Sequence, residues 1–125
     1  EFIEKAVQAK LNCWLYRFDL DTTIEYNGKL GGATHACEMA FTFNAYADPQ
    51  CHVKRLHDSS LPEVIHLAEA WSSALTKFAW TGSPDDAGLP HWPKYDLTDR
   101  HVMHLTTNSH VSKDPDSLHR KLWHS

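Results

Sequence analysis

The chain has 125 residues, 42% of them hydrophobic, and a formal net charge of −4 at pH 7. That length fits a single domain, and the hydrophobic share is enough for a globular core. The 12 Lys and Arg are scattered rather than clustered, which argues against a nucleic-acid surface, and no apolar run is long enough to cross a bilayer.

At the start, Phe2, Ile3, Ala6, Val7 and Leu11 recur at helical spacing and predict the end of an amphipathic helix. Cys13 to Phe18 is short, aromatic and bounded by Asp19-Leu20-Asp21, so it reads as a buried strand, with Asp19 and Asp21 capping the turn. Residues 20 to 34 are polar, and Gly28, Gly31 and Gly32 allow tight turning before His35. The clearest helix runs from Leu61 to about Trp80. Ser60-Leu61-Pro62-Glu63 reads as a capping box at its start. Val64, Leu67, Ala68, Trp71, Ala74, Leu75 and Phe78 form its apolar stripe, and Gly82 and Pro84 stop it. A proline-rich loop covers Ser83 to Lys94. His101 to Leu105 alternates as a short strand that an extended piece near Ser109 to Ser112 can pair with. Asp114 and Pro115 open a last short helix.

Three cysteines (Cys13, Cys37, Cys51) without regular spacing do not make a disulfide framework, and free thiols fit a reducing compartment. Ten histidines invite a metal reading. However, His101 and His104 lie three apart in a strand and face opposite sides. No four-ligand zinc pattern exists, so no metal and no cofactor are expected and most of these histidines are read as surface groups. Ser59 and Ser60 could suggest a nucleophile, but capping accounts better for Ser60. Cys37 has nothing nearby in sequence to lower its pKa and reads as an inert buried thiol. The tryptophans at 71, 80 and 92 read as packing residues.

The run Gly32-Ala33-Thr34-His35-Ala36-Cys37-Glu38-Met39-Ala40-Phe41-Thr42-Phe43 carries the chemistry. It resembles the histidine loop of the carboxylesterase/cholinesterase-type (type B) α/β-hydrolases. Trp14 to Asp19 resembles the strand that leads to that loop. Trp71 with Phe78-Ala79-Trp80-Thr81-Gly82-Ser83-Pro84, then Trp92-Pro93-Lys94-Tyr95, and finally Leu122-Trp123 resemble later motifs of the family in the same order. Ala36 stands where cholinesterases have glycine and bacterial esterases often have alanine. The stretch His119-Arg120-Lys121 just before Leu122-Trp123 has no cysteine, where secreted animal members have one. In character the chain is therefore closest to the bacterial carboxylesterases, and a cytoplasmic location is expected.

The resemblance implies an α/β fold, an incomplete C-terminal part of an α/β-hydrolase with few strands and packed helices. Residues 1–125 would be the C-terminal segment of one such domain. In this fold the order is serine, acid, histidine. No Gly-x-Ser-x-Gly elbow and no Gly-rich oxyanion motif is present, so the nucleophile and acid segments would belong to the upstream part of the same hydrolase. His35 would be the triad's general base. Glu38 would be a supporting carboxylate hydrogen-bonded inside; from the residues alone, a partly exposed glutamate fits equally well. The expected parent activity is hydrolysis of small-molecule carboxylic esters, with the isolated chain inactive. Two alternatives stay open: part of a non-catalytic cholinesterase-like adhesion protein, or a free-standing small interaction domain. The strand at 13–18, apolar on both faces, would have an unpaired edge in the isolated chain, and the expected remedy is a homodimer.

Overall fold

The structure, a computed structural model, describes residues 2–22, 25–85 and 88–123. Helix α1 spans Phe2–Gln8. It ends in a Schellman motif: Lys10 takes a left-handed φ of 61°, while the Leu11 amide donates to the Ala6 carbonyl and the Lys10 amide to Val7. Strand β1 is Tyr16–Phe18. The extended run read from the sequence begins earlier, and its backbone is still engaged there. The Tyr95 amide donates to the Cys13 carbonyl at 2.7 Å, and the Met103 amide to Leu15 at 2.9 Å. A small hairpin, β2 (Glu25–Tyr26) and β3 (Lys29–Leu30), follows.

Helix α2 covers Met39–Thr42 and helix α3 Pro62–Thr81. Val64, Leu67, Ala68, Ala70, Trp71 and Ala74 bury the inner stripe of α3. Gly82 closes it with φ 74° and its amide on the Phe78 carbonyl, as expected. The start departs from the capping-box reading. The residue before the helix is Leu61, with no side-chain cap, because Asp58 Oδ1 accepts the Ser60 amide at 2.8 Å. That Asx turn orients the entry, and Pro62 supplies the helical φ. Phe78 is half-exposed and Trp80 points outward at 85% exposure, whereas Trp71 and Trp92 are buried. The packing role thus holds for Trp71 and Trp92 and fails for Trp80.

Strands β4 (His101–Leu105) and β5 (His110–Lys113) form the expected antiparallel pair, with His104 opposite His110. They are not separate from the first strand. β1 lies parallel to β4, Arg17 beside His104, and the sheet order is β1-β4-β5. One neighbour of β1 therefore comes from downstream in the chain, and its other edge is unpaired among the described residues. β1 is also less apolar than read, since Arg17 is exposed and Tyr16 is 41% exposed.

Helix α4 is Ser117–Trp123. Asp114, expected as its cap, has its carboxylate on Arg120 instead. The side chain of Trp123 lies outside the described residues. The core sits on one face of the sheet, where Phe41, Trp71, Met103 and Leu105 are almost wholly buried. Tyr16 packs on Trp71 with ring centroids 4.5 Å apart, and Phe18 on Phe41 at 5.0 Å. Arg100 joins α1 to β4 by donating to Glu4 at 2.6 Å and to the Tyr95 hydroxyl at 3.0 Å. Among the described residues, no helix is long and apolar enough to cross a membrane.

Candidate active site

The His35 loop is anchored at its entry. The Thr22 amide and hydroxyl both donate to the Gly31 carbonyl, at 3.0 and 2.6 Å. A Cβ on Gly31 would sit 3.3 Å from Thr22 Oγ1. That close approach explains a glycine there without any need for unusual φ. The chain then folds through a tight turn. The Cys37 amide donates to the Thr34 carbonyl and the Met39 amide to Ala36, both at 3.2 Å. To make that turn Ala36 adopts φ 64°, a left-handed conformation that only glycine enters without strain. Burial of Cys37, Ala40 and Phe41 pins the far side of the turn into the core.

His35 stands on the outside of this turn. It is exposed, and among the described residues nothing hydrogen-bonds its ring. Both ring nitrogens are thus available to outside partners. The turn leads directly into α2, and the β2–β3 hairpin separates it from β1.

Glu38 is half-buried at the start of α2 and makes no side-chain cap there. Its charge acts inward. Burial first, and then the Glu38 carboxylate, raise the pKa of the Tyr16 hydroxyl and the Cys37 thiol. Cys37 is therefore a protonated, unreactive thiol at neutral pH, as its sequence setting suggested. No described carboxylate meets His35.

An apolar cavity of about 400 Å³ is lined by Trp14, Tyr16, Trp71, Phe78 and Trp92 among others. No lining residue comes from the His35 turn. Asp96, Asp99 and His101 bring ligand atoms within 4.8 Å of one another. Asp99 already holds Lys113 at 2.9 Å, and Asp96 accepts the Thr98 and Asp99 amides at 2.7 and 2.6 Å. These bonds account for the cluster without an ion.

A histidine turn of this form, in this order of strands and helices, can be compared with known proteins. The carboxylesterase family model matches residues 1–123. The chain belongs to the carboxylesterase family. It is 29% identical over 109 residues to the para-nitrobenzyl esterase of Bacillus subtilis (strain 168), covering 86% of this chain and 21% of that protein. It is 33% identical over 70 residues to the fatty acyl-CoA hydrolase precursor, medium chain, of Anas platyrhynchos, covering 56% of this chain and 11% of that protein. Among solved structures, the Geobacillus stearothermophilus carboxylesterase EST55 superposes with a TM-score of 0.76 at 29% identity, over 94% of this chain and 23% of that one. The fold is thus that of the α/β-hydrolase esterases, in part. The chain spans about a fifth of the length of the para-nitrobenzyl esterase.

The sequence reading missed two histidines of structural weight. His57 is 1% exposed and packs edge-on to Phe18 and Phe41. His104 is also buried, and it is bonded to Asp19, which was read as a turn cap. Both partnerships span tens of residues, so local spacing carries no sign of them.

Proposed function

We propose that this chain supplies the general base, His35, of a serine carboxylesterase whose nucleophile and acid stand on another part of the same domain. The supporting observation is an exposed histidine with an unengaged ring, held rigidly by a core-anchored turn in a chain of this family. In this reading one His35 nitrogen takes the proton of the serine hydroxyl as it attacks the ester carbonyl, then returns it to the leaving alcohol. The other nitrogen receives a carboxylate that sets the tautomer. An imidazole suits both transfers because its ordinary pKa lies near neutrality. Glu38 supports the turn from inside without touching the substrate. No cofactor takes part. The isolated 125 residues lack a serine elbow and turn over ester at negligible rates.

The test is a chimera in which this chain replaces the matching segment of the B. subtilis para-nitrobenzyl esterase. Hydrolysis of p-nitrophenyl acetate is expected, with a loss on His35→Ala of roughly 10⁴-fold or more in kcat, the scale for deleting a triad member. Two results oppose the reading: a chimera indifferent to His35→Ala, or the isolated chain hydrolysing the ester at enzyme-like rates.

A further inference from the structure

The sheet face turned away from the Trp71 core carries an ordered polar chain. Residues paired in register project to the same face, so Arg17 of β1, His104 of β4 and His110 of β5 lie side by side. Ser112 lies on the same face two residues beyond His110. His104 Nδ1 lies 2.5 Å from Asp19 Oδ2, and His104 Nε2 lies 2.6 Å from Ser112 Oγ. Chemistry assigns the protons. A carboxylate only accepts, so Nδ1 must carry the hydrogen. The neutral ring then has its lone pair on Nε2, and the Ser112 hydroxyl donates to it.

Among the described residues, Asp19, Arg17, Asp116 and His110 surround this ring. Asp19 is held from behind by Arg17 Nε, at 2.7 and 3.0 Å to its two oxygens. Arg17 Nη1 continues to Asp116 at 3.2 Å. His110 stacks flat on His104 with centroids 4.8 Å apart. Burial opposes ionisation of the Asp19 carboxyl, but hydrogen bonds from Arg17 and His104 outweigh it and keep its pKa low. The base is thus locked between an anion and a stacked ring, while Ser112 itself is partly exposed on an edge strand.

Backbone register adds a donor. The Met103 amide bonds Leu15, so Met103 turns its polar groups to β1, and Val102 and His104 turn theirs to β5. In the observed register, His110 and Ser112 answer them. The Lys113 amide, immediately after Ser112, therefore faces the open edge of the sheet.

We propose that Ser112 is an acyl-accepting nucleophile separate from the His35 turn, with His104 as its base and Asp19 as the positioning residue. Its substrates are activated carboxylic esters and organophosphonates that reach the partly exposed Ser112 at the sheet edge. As Ser112 Oγ bonds to the ester carbonyl carbon, its proton passes to His104 Nε2 and the carbonyl electron pair moves to oxygen, which the Lys113 amide can meet. Collapse breaks the bond to the leaving aryloxide, which takes the proton from His104 and leaves acyl-Ser112. With a fluorophosphonate, the Oγ–P bond forms, the P–F bond breaks, fluoride departs and the proton stays on His104.

The experiment treats the whole chain with an alkyl fluorophosphonate and locates the adduct by fragmentation of the tryptic peptide 101–113. The expected result is one adduct, on Ser112, formed about 10²-fold or more faster than in the same chain unfolded in urea, the scale of general-base assistance. Ser112→Ala should remove the adduct, and His104→Gln and Asp19→Asn should slow its formation at least tenfold while circular dichroism shows a retained fold. An adduct elsewhere, a folded rate equal to the unfolded one, or indifference to His104→Gln overturns the proposal. Should the variants fail to fold, the wild-type chain decides, and a folded rate no faster than the rate in urea overturns the proposal. The readout is a mass located on Ser112, so it stands or falls independently of His35.

Discussion

Replacing His57 tests whether the core tolerates a buried imidazole only in its neutral form. His57 is 1% exposed and lies edge-on to Phe41 at 5.0 Å and Phe18 at 6.1 Å. Neither ring nitrogen has a partner of good hydrogen-bond geometry. Burial lowers its pKa, and the nearby Leu20 backbone offsets this only in part. The sign follows. Below the unfolded value of about 6.5 the unfolded chain binds a proton that the folded chain resists, so folding stability falls as pH falls. The loss is at most about 1.4 kcal/mol per pH unit, or about 2 kcal/mol between pH 6.5 and pH 5. It ceases once the folded form also takes up the proton. His57→Leu keeps the volume roughly constant and removes the titration. At pH 7.5 it should lie within about 1.5 kcal/mol of the parent, the usual scale for a volume-conserving core change. At pH 5 the balance should shift in favour of the variant by up to about 2 kcal/mol. The assay is urea unfolding followed by tryptophan fluorescence at half-unit steps from pH 5 to 8. Taking the difference between the two proteins cancels every other titrating group. Parallel pH dependences for parent and variant would refute the reasoning.

Ala36→Gly should raise stability by about 0.5 kcal/mol, because relief of a left-handed alanine, about 1 kcal/mol, exceeds glycine's extra unfolded entropy; a thermal melt lower than the parent's contradicts the observed φ of 64°. Trp71→Ala removes the ring that packs on Tyr16 and Trp92 and donates to Thr42 Oγ1 at 3.1 Å. It should cost about 3–5 kcal/mol, read as a drop in the urea midpoint or a failure to fold. The free edge of β1, together with exposed Phe43 and Phe78, should drive the isolated chain to self-associate. Sedimentation showing only monomer at high concentration counts against that.

What the sequence could determine is what repeats locally. The α3 stripe from Val64 to Ala74 and the stop at Gly82 follow from 3.6-residue periodicity and from a residue free to adopt positive φ, both properties of adjacent positions. The β4–β5 pair is legible because period-two alternation is also local. The His35 turn was found by motif, and Ala36 fits there only at the strain its φ records. Trp80 lies nine residues after Trp71, on the opposite face of α3, so its exposure was also legible from the helical period. Tertiary structure decided the rest. At the start of α3 the Ser60 amide is taken by Asp58, and the position before the helix falls to Leu61, one residue later than the capping-box reading. The parallel docking of β1 on β4, and with it the line from Asp19 through His104 to Ser112, joins residues as much as 85 positions apart. Such contacts leave no periodic trace, because their free energy comes from burying the whole sheet at once rather than from any neighbouring pair of residues.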